Sequence, residues 1–254
     1  MLRGQGMEDV KIITRAKVPI VKFTDPRSGL HVDISINNTL ALHNTNLLAA
    51  YAKVDKRVKE LTLCVKHWAL HRNVSDSVNG TLSSYAWSIL VIDHLQSQGV
   101  VPNLQSGDAR TLIEIDEKEY DITIDNSNSW KSENQTDIAH LLQSFFHKNA
   151  TRDWSNQVVS IRTGESISRD SKGWMEEEPT AFDIFNSDSE NTNRMGEHHM
   201  AIEDPFELDH DLCRVVNAEG ELRIKNELIR AAVLFGNGST WKEICETVDA
   251  SRLQ

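Results

Sequence analysis

The chain has 254 residues, 39% apolar and 26% charged, a composition that predicts a soluble fold with a sizeable core. Its 27 Lys+Arg against 38 Asp+Glu give a net charge of −11, which excludes a protein that coats nucleic acid by bulk charge. No apolar run approaches the roughly 20 residues of a spanning helix, Arg3, Glu8, Asp9 and Lys11 interrupt any secretory leader, and the scattered Cys64, Cys213 and Cys245 indicate neither disulfides nor zinc, so a reducing intracellular compartment is expected.

Charge is unevenly divided: residues 1–72 carry 12 Lys+Arg against 6 Asp+Glu, and residues 73–254 carry 15 against 32. An anionic ligand is therefore sought near the N-terminal third or in a local pocket. Residues 11–38 predict strands. Val18-Pro19-Ile20-Val21 leads into the turn cluster Asp25-Pro26-Arg27-Ser28-Gly29, after which His31 to Asn37 alternates strictly. Val32, Ile34 and Ile36 share one face, so Asp33 and Ser35 fall on the other and a carboxylate is presented on a rigid element. Simple exposure to solvent is the commonest role of such an Asp.

Asn44 or Thr45 is expected to open the strongest helix. Leu47, Tyr51, Val54, Val58, Leu61, Val65 and Trp68 recur at spacings of 4 and 3 and predict one apolar seam, with Asp55, Lys56, Arg57, Lys59 and Glu60 mostly in water. Lys66 lies beside the seam, where it either snorkels or faces a cleft. After the Asn79-Gly80-Thr81 turn a second helix is expected over residues 82–95, with Ser83 and Ser84 in its first turn. Short strands are expected at 111–115 and 120–124, and helices at 138–146, 221–235 and 240–248. Residues 165–200, with Glu176-Glu177-Glu178 and His198-His199, read as a mobile acidic insertion. His67 and His71 have the spacing of a metal pair but lack a third ligand, and no Gly-x-Ser-x-Gly or P-loop string points to a hydrolase or NTPase.

Six ordered strings are more specific: Val18-Pro-Ile-Val-Lys-Phe23, Val32-Asp-Ile-Ser-Ile-Asn-Asn38, Val65-Lys-His-Trp-Ala69, Gly80-Thr-Leu-Ser-Ser-Tyr85, Val159-Ser-Ile-Arg162 and Ile202-Glu-Asp-Pro-Phe-Glu207. Over about residues 10–230 the chain resembles the cytoplasmic terminal nucleotidyltransferases, RNA uridylyltransferases and atypical poly(A) polymerases of the DNA-polymerase-β-like superfamily. The resemblance implies an α+β fold, with an incomplete polymerase-β-like palm at 1–38 and a mainly helical PAP-associated domain at 39–254. It implies transfer from UTP, or ATP, to an RNA 3′ end: the terminal hydroxyl attacks the α-phosphate and pyrophosphate leaves. Neither DNA nor a membrane is an expected partner, and the cytoplasm is the expected compartment, with the nucleus as alternative.

The family holds two Mg²⁺ (or Mn²⁺) ions on three carboxylates. Asp33 matches the third, as catalytic residue and metal ligand, whereas the Gly-Ser turn and Asp-x-Asp pair that precede it in the family have no counterpart in residues 1–32, and Asp209-His210-Asp211 is read as coincidence. The chain is therefore expected to be an N-terminally truncated fragment that is inactive alone. Its alternative is a nucleotide- or RNA-binding remnant or pseudoenzyme. The resemblance places Asn44 and Thr45 at the ribose, Lys66 and Ser84 at the triphosphate, and the Tyr85 ring on the base. It places Asp204, Glu207 and His210 at the base edge, with the His favouring UTP over ATP. A second Lys one turn after the first is replaced by Leu70, so phosphate affinity turns on whether Arg72 swings in.

Overall fold

A computed structural model describes residues 2–14, 19–125, 130–175 and 199–247. It has the expected mixture of helices and strands, in two compact units, Met1–Asn46 and Leu47–Gln254. In the first, β1 (Glu8–Ile13), β2 (Ile20–Asp25) and β3 (Leu30–Ser35) form an antiparallel sheet in that order. The β2–β3 turn is tied by Asp25, whose carboxylate accepts from the Arg27 amide and the Ser28 hydroxyl, each at 3.0 Å. Lys22 stands opposite Asp33, so the carboxylate does lie on the polar side of an edge strand. The opposite face is the apolar one. Ile12, Leu30, Ile34 and Ile36 are all exposed.

The predicted long helix is two helices, α1 (Thr39–Val54) and α2 (Lys56–His71). Helix α1 begins five residues before Asn44, and Asp55 ends the run by taking an extended backbone and accepting the Arg57 amide as N-cap of α2. The seam survives the break: Leu47, Tyr51, Val58, Leu61, Val65 and Trp68 are buried. Asp55 and Arg57 are not in water. They pair at 2.7 Å, and Arg57 donates to Asn134 Oδ1 and the Thr136 carbonyl.

Helix α3 (Ser84–Ser97) is buried from Ala86 to Leu95, and Trp87 meets Trp68 edge-on at 5.4 Å. The hairpin β4 (Leu112–Ile115) and β5 (Lys118–Asp121) lies slightly before its predicted second strand. Helix α4 (Ile138–Ala150) adds Phe146, 4.7 Å from Trp68. Part of the expected insertion is ordered: β6 (Gln157–Val158) pairs with β7 (Ile167–Ser168), and α5 (Arg169–Lys172) follows. Glu176-Glu177-Glu178 and His198 lie outside the described residues, while His199 Nδ1 is 3.1 Å from Glu221 Oε2. Helices α6 (Ala218–Gly236) and the short α7 (Trp241–Ile244) complete the unit. Among the described residues no helix is long and apolar enough to cross a membrane.

One core group makes stability depend on pH. His94 is buried with Nε2 3.1 Å from Ser144 Oγ, and burial, reinforced by the nearby Lys148 charge, lowers its pKa to about 4. A ring that is neutral in the fold but gains a proton on unfolding gives stability that is complete above about pH 6.5 and lost as pH falls toward 4. This group should cost about 2 kcal/mol between pH 7 and 5, at ~1.4 kcal/mol per pKa unit. Urea unfolding at the two pH values measures it. His94→Asn should flatten the dependence, and an unaltered slope would remove His94 as its source.

Candidate functional site

The approach to α3 is fixed by backbone packing. Gly80 has φ +76° and its carbonyl accepts the Asn217 amide at 3.3 Å. Asn217 caps α6 by accepting the Gly220 amide at 2.8 Å. A Cβ on Gly80 would lie 2.3 Å from Asn217 Nδ2, and one on Gly220 only 1.8 Å from the Gly80 carbonyl oxygen. Three residues on, the Ser83 hydroxyl caps α3 by accepting the Ala86 amide at 3.1 Å. Ser84 is thereby the first helical residue, exposed at the positive end of the helix. Tyr85 follows, and its hydroxyl is buried with no hydrogen-bond partner among the described residues. Burial first, and the Asp204 charge second, push that hydroxyl's pKa up.

Asp204 lies on a loop that closes on itself. Ile202 bridges Val159 in parallel, and Glu203 bridges Asp211 in antiparallel fashion. Between these ends the Asp204 amide donates to the His210 carbonyl (3.0 Å) and the His210 amide to the Glu207 carbonyl (2.8 Å). Asp204 Oδ1 accepts the Phe206 and Glu207 amides, both at 2.9 Å. Burial nevertheless holds the Asp204 carboxyl above the ordinary carboxylate range, against those hydrogen bonds and the attraction of His210. Tyr85, Asp204, Glu207 and His210 thus form one neighbourhood. Asp211 is a backbone fastener, accepting the Ile202 and Cys213 amides, and Asp209 pairs with Lys118 at 3.2 Å.

The base of the loop holds a cluster that sequence reading missed. Glu203 is buried, with Arg162 Nη2 at 3.0 Å, Lys172 Nζ at 2.9 Å and the Ser160 hydroxyl at 2.5 Å. Desolvation opposes its charge, yet these three partners hold its pKa below the usual range. Two of the six strings contain Arg162 and Glu203, but nothing in one dimension says that they pair, and Lys172 belongs to neither.

The other predicted residues divide between the two units. Asp33, Asn44 and Thr45 belong to the first unit. Asn44 Oδ1 is buried with no hydrogen-bond partner among the described residues, whereas Thr45 is exposed and its hydroxyl donates to the Ala41 carbonyl at 2.8 Å. Lys66 is half-buried on α2, and Leu70, one turn on, is exposed. Arg72 does not reach for a ligand: Nε and Nη2 each donate to Glu227 at 2.8 Å, and Nη1 donates to the Glu246 carbonyl. His71 Nδ1 lies 2.8 Å from the His67 carbonyl, which makes the pair a local helix contact. Asp33 Oδ2 lies 2.9 Å from Lys22 Nζ, and the described residues hold no group of three or more His, Cys, Asp or Glu able to bind a metal. By themselves they do not fit a pair of divalent ions.

Residues 1–53 match the family described as the central palm domain of mitochondrial-like poly(A) RNA polymerase, and residues 137–210 match the PAP-associated family, described as Cid1 family poly A polymerase. The chain is 32% identical over 252 residues to terminal uridylyltransferase cid1 of Schizosaccharomyces pombe, covering 94% of this chain and 60% of that protein. It is 28% identical over 248 residues to poly(A) RNA polymerase cid11 of the same organism, covering 97% and 48%. It therefore spans about half to three-fifths of these relatives' lengths. The fold is similar to the solved structure of a cytoplasmic RNA terminal U-transferase, with TM-score 0.76 and 30% identity over 98% of this chain and 75% of the other.

Proposed function

Because this chain belongs to the terminal nucleotidyltransferase family, we propose that the whole protein adds nucleotides, uridine in preference, to RNA 3′ ends, and that these 254 residues carry its nucleotide-selecting part. The supporting observation is Tyr85 beside Asp204, on the loop that also bears Glu207 and His210. A ring face stacks on any base, while a polar edge of fixed donors and acceptors discriminates between bases. In this reading Tyr85 stacks, His210 hydrogen-bonds a uracil carbonyl and crowds a purine, and Asp204 and Glu207 complete the edge. Ser84, at the start of α3, and the Lys66 ammonium take the triphosphate; Asn44, whose Oδ1 has no hydrogen-bond partner among the described residues, and Thr45 take the ribose. The relatives include enzymes named for uridylyl and for adenylyl transfer, and His210 is what favours UTP here.

Calorimetric titration of the 254-residue chain with UTP and with ATP tests the binding part, with UTP expected to bind more tightly and equal affinities counting against the preference. No RNA primer extension by this chain with Mg²⁺ is expected, because Asp33 is ion-paired to Lys22 and no metal cluster accompanies it among the described residues. Extension that Asp33→Ala abolishes would overturn this. The Lys22–Asp33 pair also favours a second reading, a nucleotide- or RNA-binding protein without turnover. Joining the Gly-Ser and Asp-x-Asp segment of an active family member ahead of Met1 separates the two: the enzymatic reading expects uridine addition and the second expects none.

A further inference from the structure

We infer that Lys172 is a positioning residue for base selection, a strut that holds the carbonyl side of the 204–210 loop so that its side chains meet the base at a fixed edge; this rests on the proposed nucleotide-selecting role. The Lys172 ammonium lies 2.9 Å from Glu203 Oε1, donates to the Leu208 carbonyl at 2.5 Å and sits 4.7 Å from the centre of the Trp174 ring. Its side chain is 15% exposed and the Trp174 residue 8%, so a normally mobile lysine is held from three directions.

The loop's own hydrogen bonds run between Asp204, Phe206, Glu207 and His210. Its backbone is tied to residues elsewhere in the fold by Gln105 Nε2, which donates to the Pro205 carbonyl at 2.9 Å, and by Lys172 Nζ, which donates to the Leu208 carbonyl. These anchors bracket Glu207, and Leu208 stands two residues before His210. Discrimination between a pyrimidine and a purine depends on where donors and acceptors stand, and a loop free to shift by an ångström accommodates both.

Arg162 provides the internal control. It shares Glu203 with Lys172, its Nη2 lying 3.0 Å from the same Oε1, while the Leu208 carbonyl is held by Lys172. Lys172→Met leaves Glu203 paired with Arg162 and Ser160, so the buried charge is not orphaned. Arg162→Met leaves the Leu208 anchor in place. A role through Glu203 alone predicts the same result for both variants, and a role through the loop separates them.

The test is the ratio of ATP to UTP dissociation constants for the 254-residue chain, measured calorimetrically in the unaltered protein and in Lys172→Met, Lys172→Arg and Arg162→Met. Lys172→Met is expected to lower the ratio at least about threefold, with Lys172→Arg restoring most of it and Arg162→Met leaving it within twofold. Should Lys172→Met fail to fold, Lys172→Gln is read in its place. Amide hydrogen exchange at Glu207 to His210 should accelerate at least tenfold in the Lys172 variant without a matching change at Ile224 to Leu228. An unchanged ratio in Lys172→Met, or an equal fall in Arg162→Met, overturns the positioning role and leaves the nucleotide reading intact. No preference in the unaltered chain removes that reading and this inference with it.

Discussion

Gly220→Ala is expected to destabilise the second unit by more than about 3 kcal/mol, although helix propensity taken alone favours Ala over Gly by about 1 kcal/mol. Gly220 is the third residue of α6, where an exposed glycine would gain from the change. Its Cβ position, however, lies 1.8 Å from the Gly80 carbonyl oxygen and 2.8 Å from the carbonyl carbon. Both are backbone atoms, with no flexible end to swing away, so either the helix start or the Gly80 turn must move. That turn also carries the Asn217 amide contact and leads directly into Ser83, Ser84 and Tyr85. Urea unfolding should therefore show a large fall in midpoint. UTP affinity should fall as well under conditions where the variant remains folded. A stabilised variant would mean that the two backbones do not approach as described.

Glu203→Ala is expected to cost about 3 kcal/mol or more, the range for removing one partner of a buried ionic cluster. The change removes the acceptor of the Ser160 hydroxyl proton, and it leaves Lys172 and Arg162 with like charges and no carboxylate between them. Arg162 is 34% exposed on its side chain and can recover some hydration, which keeps the estimate at the lower end. Urea unfolding again supplies the number, with Glu203→Gln as comparison because it retains hydrogen-bonding capacity without the charge. Equal stability of Glu203→Ala and the unaltered chain would show that the cluster contributes nothing net.

Local chemistry made parts of this molecule legible in its sequence. Apolar recurrence identified the Leu47-to-Trp68 seam, and the alternation of residues 31–37 put Asp33 on the polar side of a strand. Periodicity could not register the break at Asp55, because an N-cap leaves the apolar spacing intact while ending the helix. Nor could it reveal that Ile12, Leu30, Ile34 and Ile36 are exposed, since alternation assigns a residue to a face and says nothing of burial. Arg72 looked available for phosphate beside Leu70, and only the fold brings Glu227 to it from 155 residues away. The Glu203 cluster was hidden for the same reason, as Ser160, Arg162 and Lys172 reach it from 31 to 43 residues earlier. The ordered strings drew attention to Tyr85 and to residues 204–210, but the Asp204–His210 backbone closure exists only in the folded loop.

The central claim is that Tyr85 and the 204–210 loop divide the recognition of a nucleotide, one holding the base and the other choosing it. Competitive titration of UTP and ATP against the unaltered chain, Tyr85→Ala and His210→Ala tests this most directly. Stacking is worth about 1–3 kcal/mol whichever base is present, so Tyr85→Ala should weaken both nucleotides by similar factors, about fivefold to a hundredfold. His210→Ala enlarges the space for a purine and removes a contact to uracil, so it should shift the ratio of affinities toward ATP by about tenfold while leaving binding measurable. A ratio unmoved by His210→Ala, or a loss confined to one nucleotide in Tyr85→Ala, would contradict the division of roles.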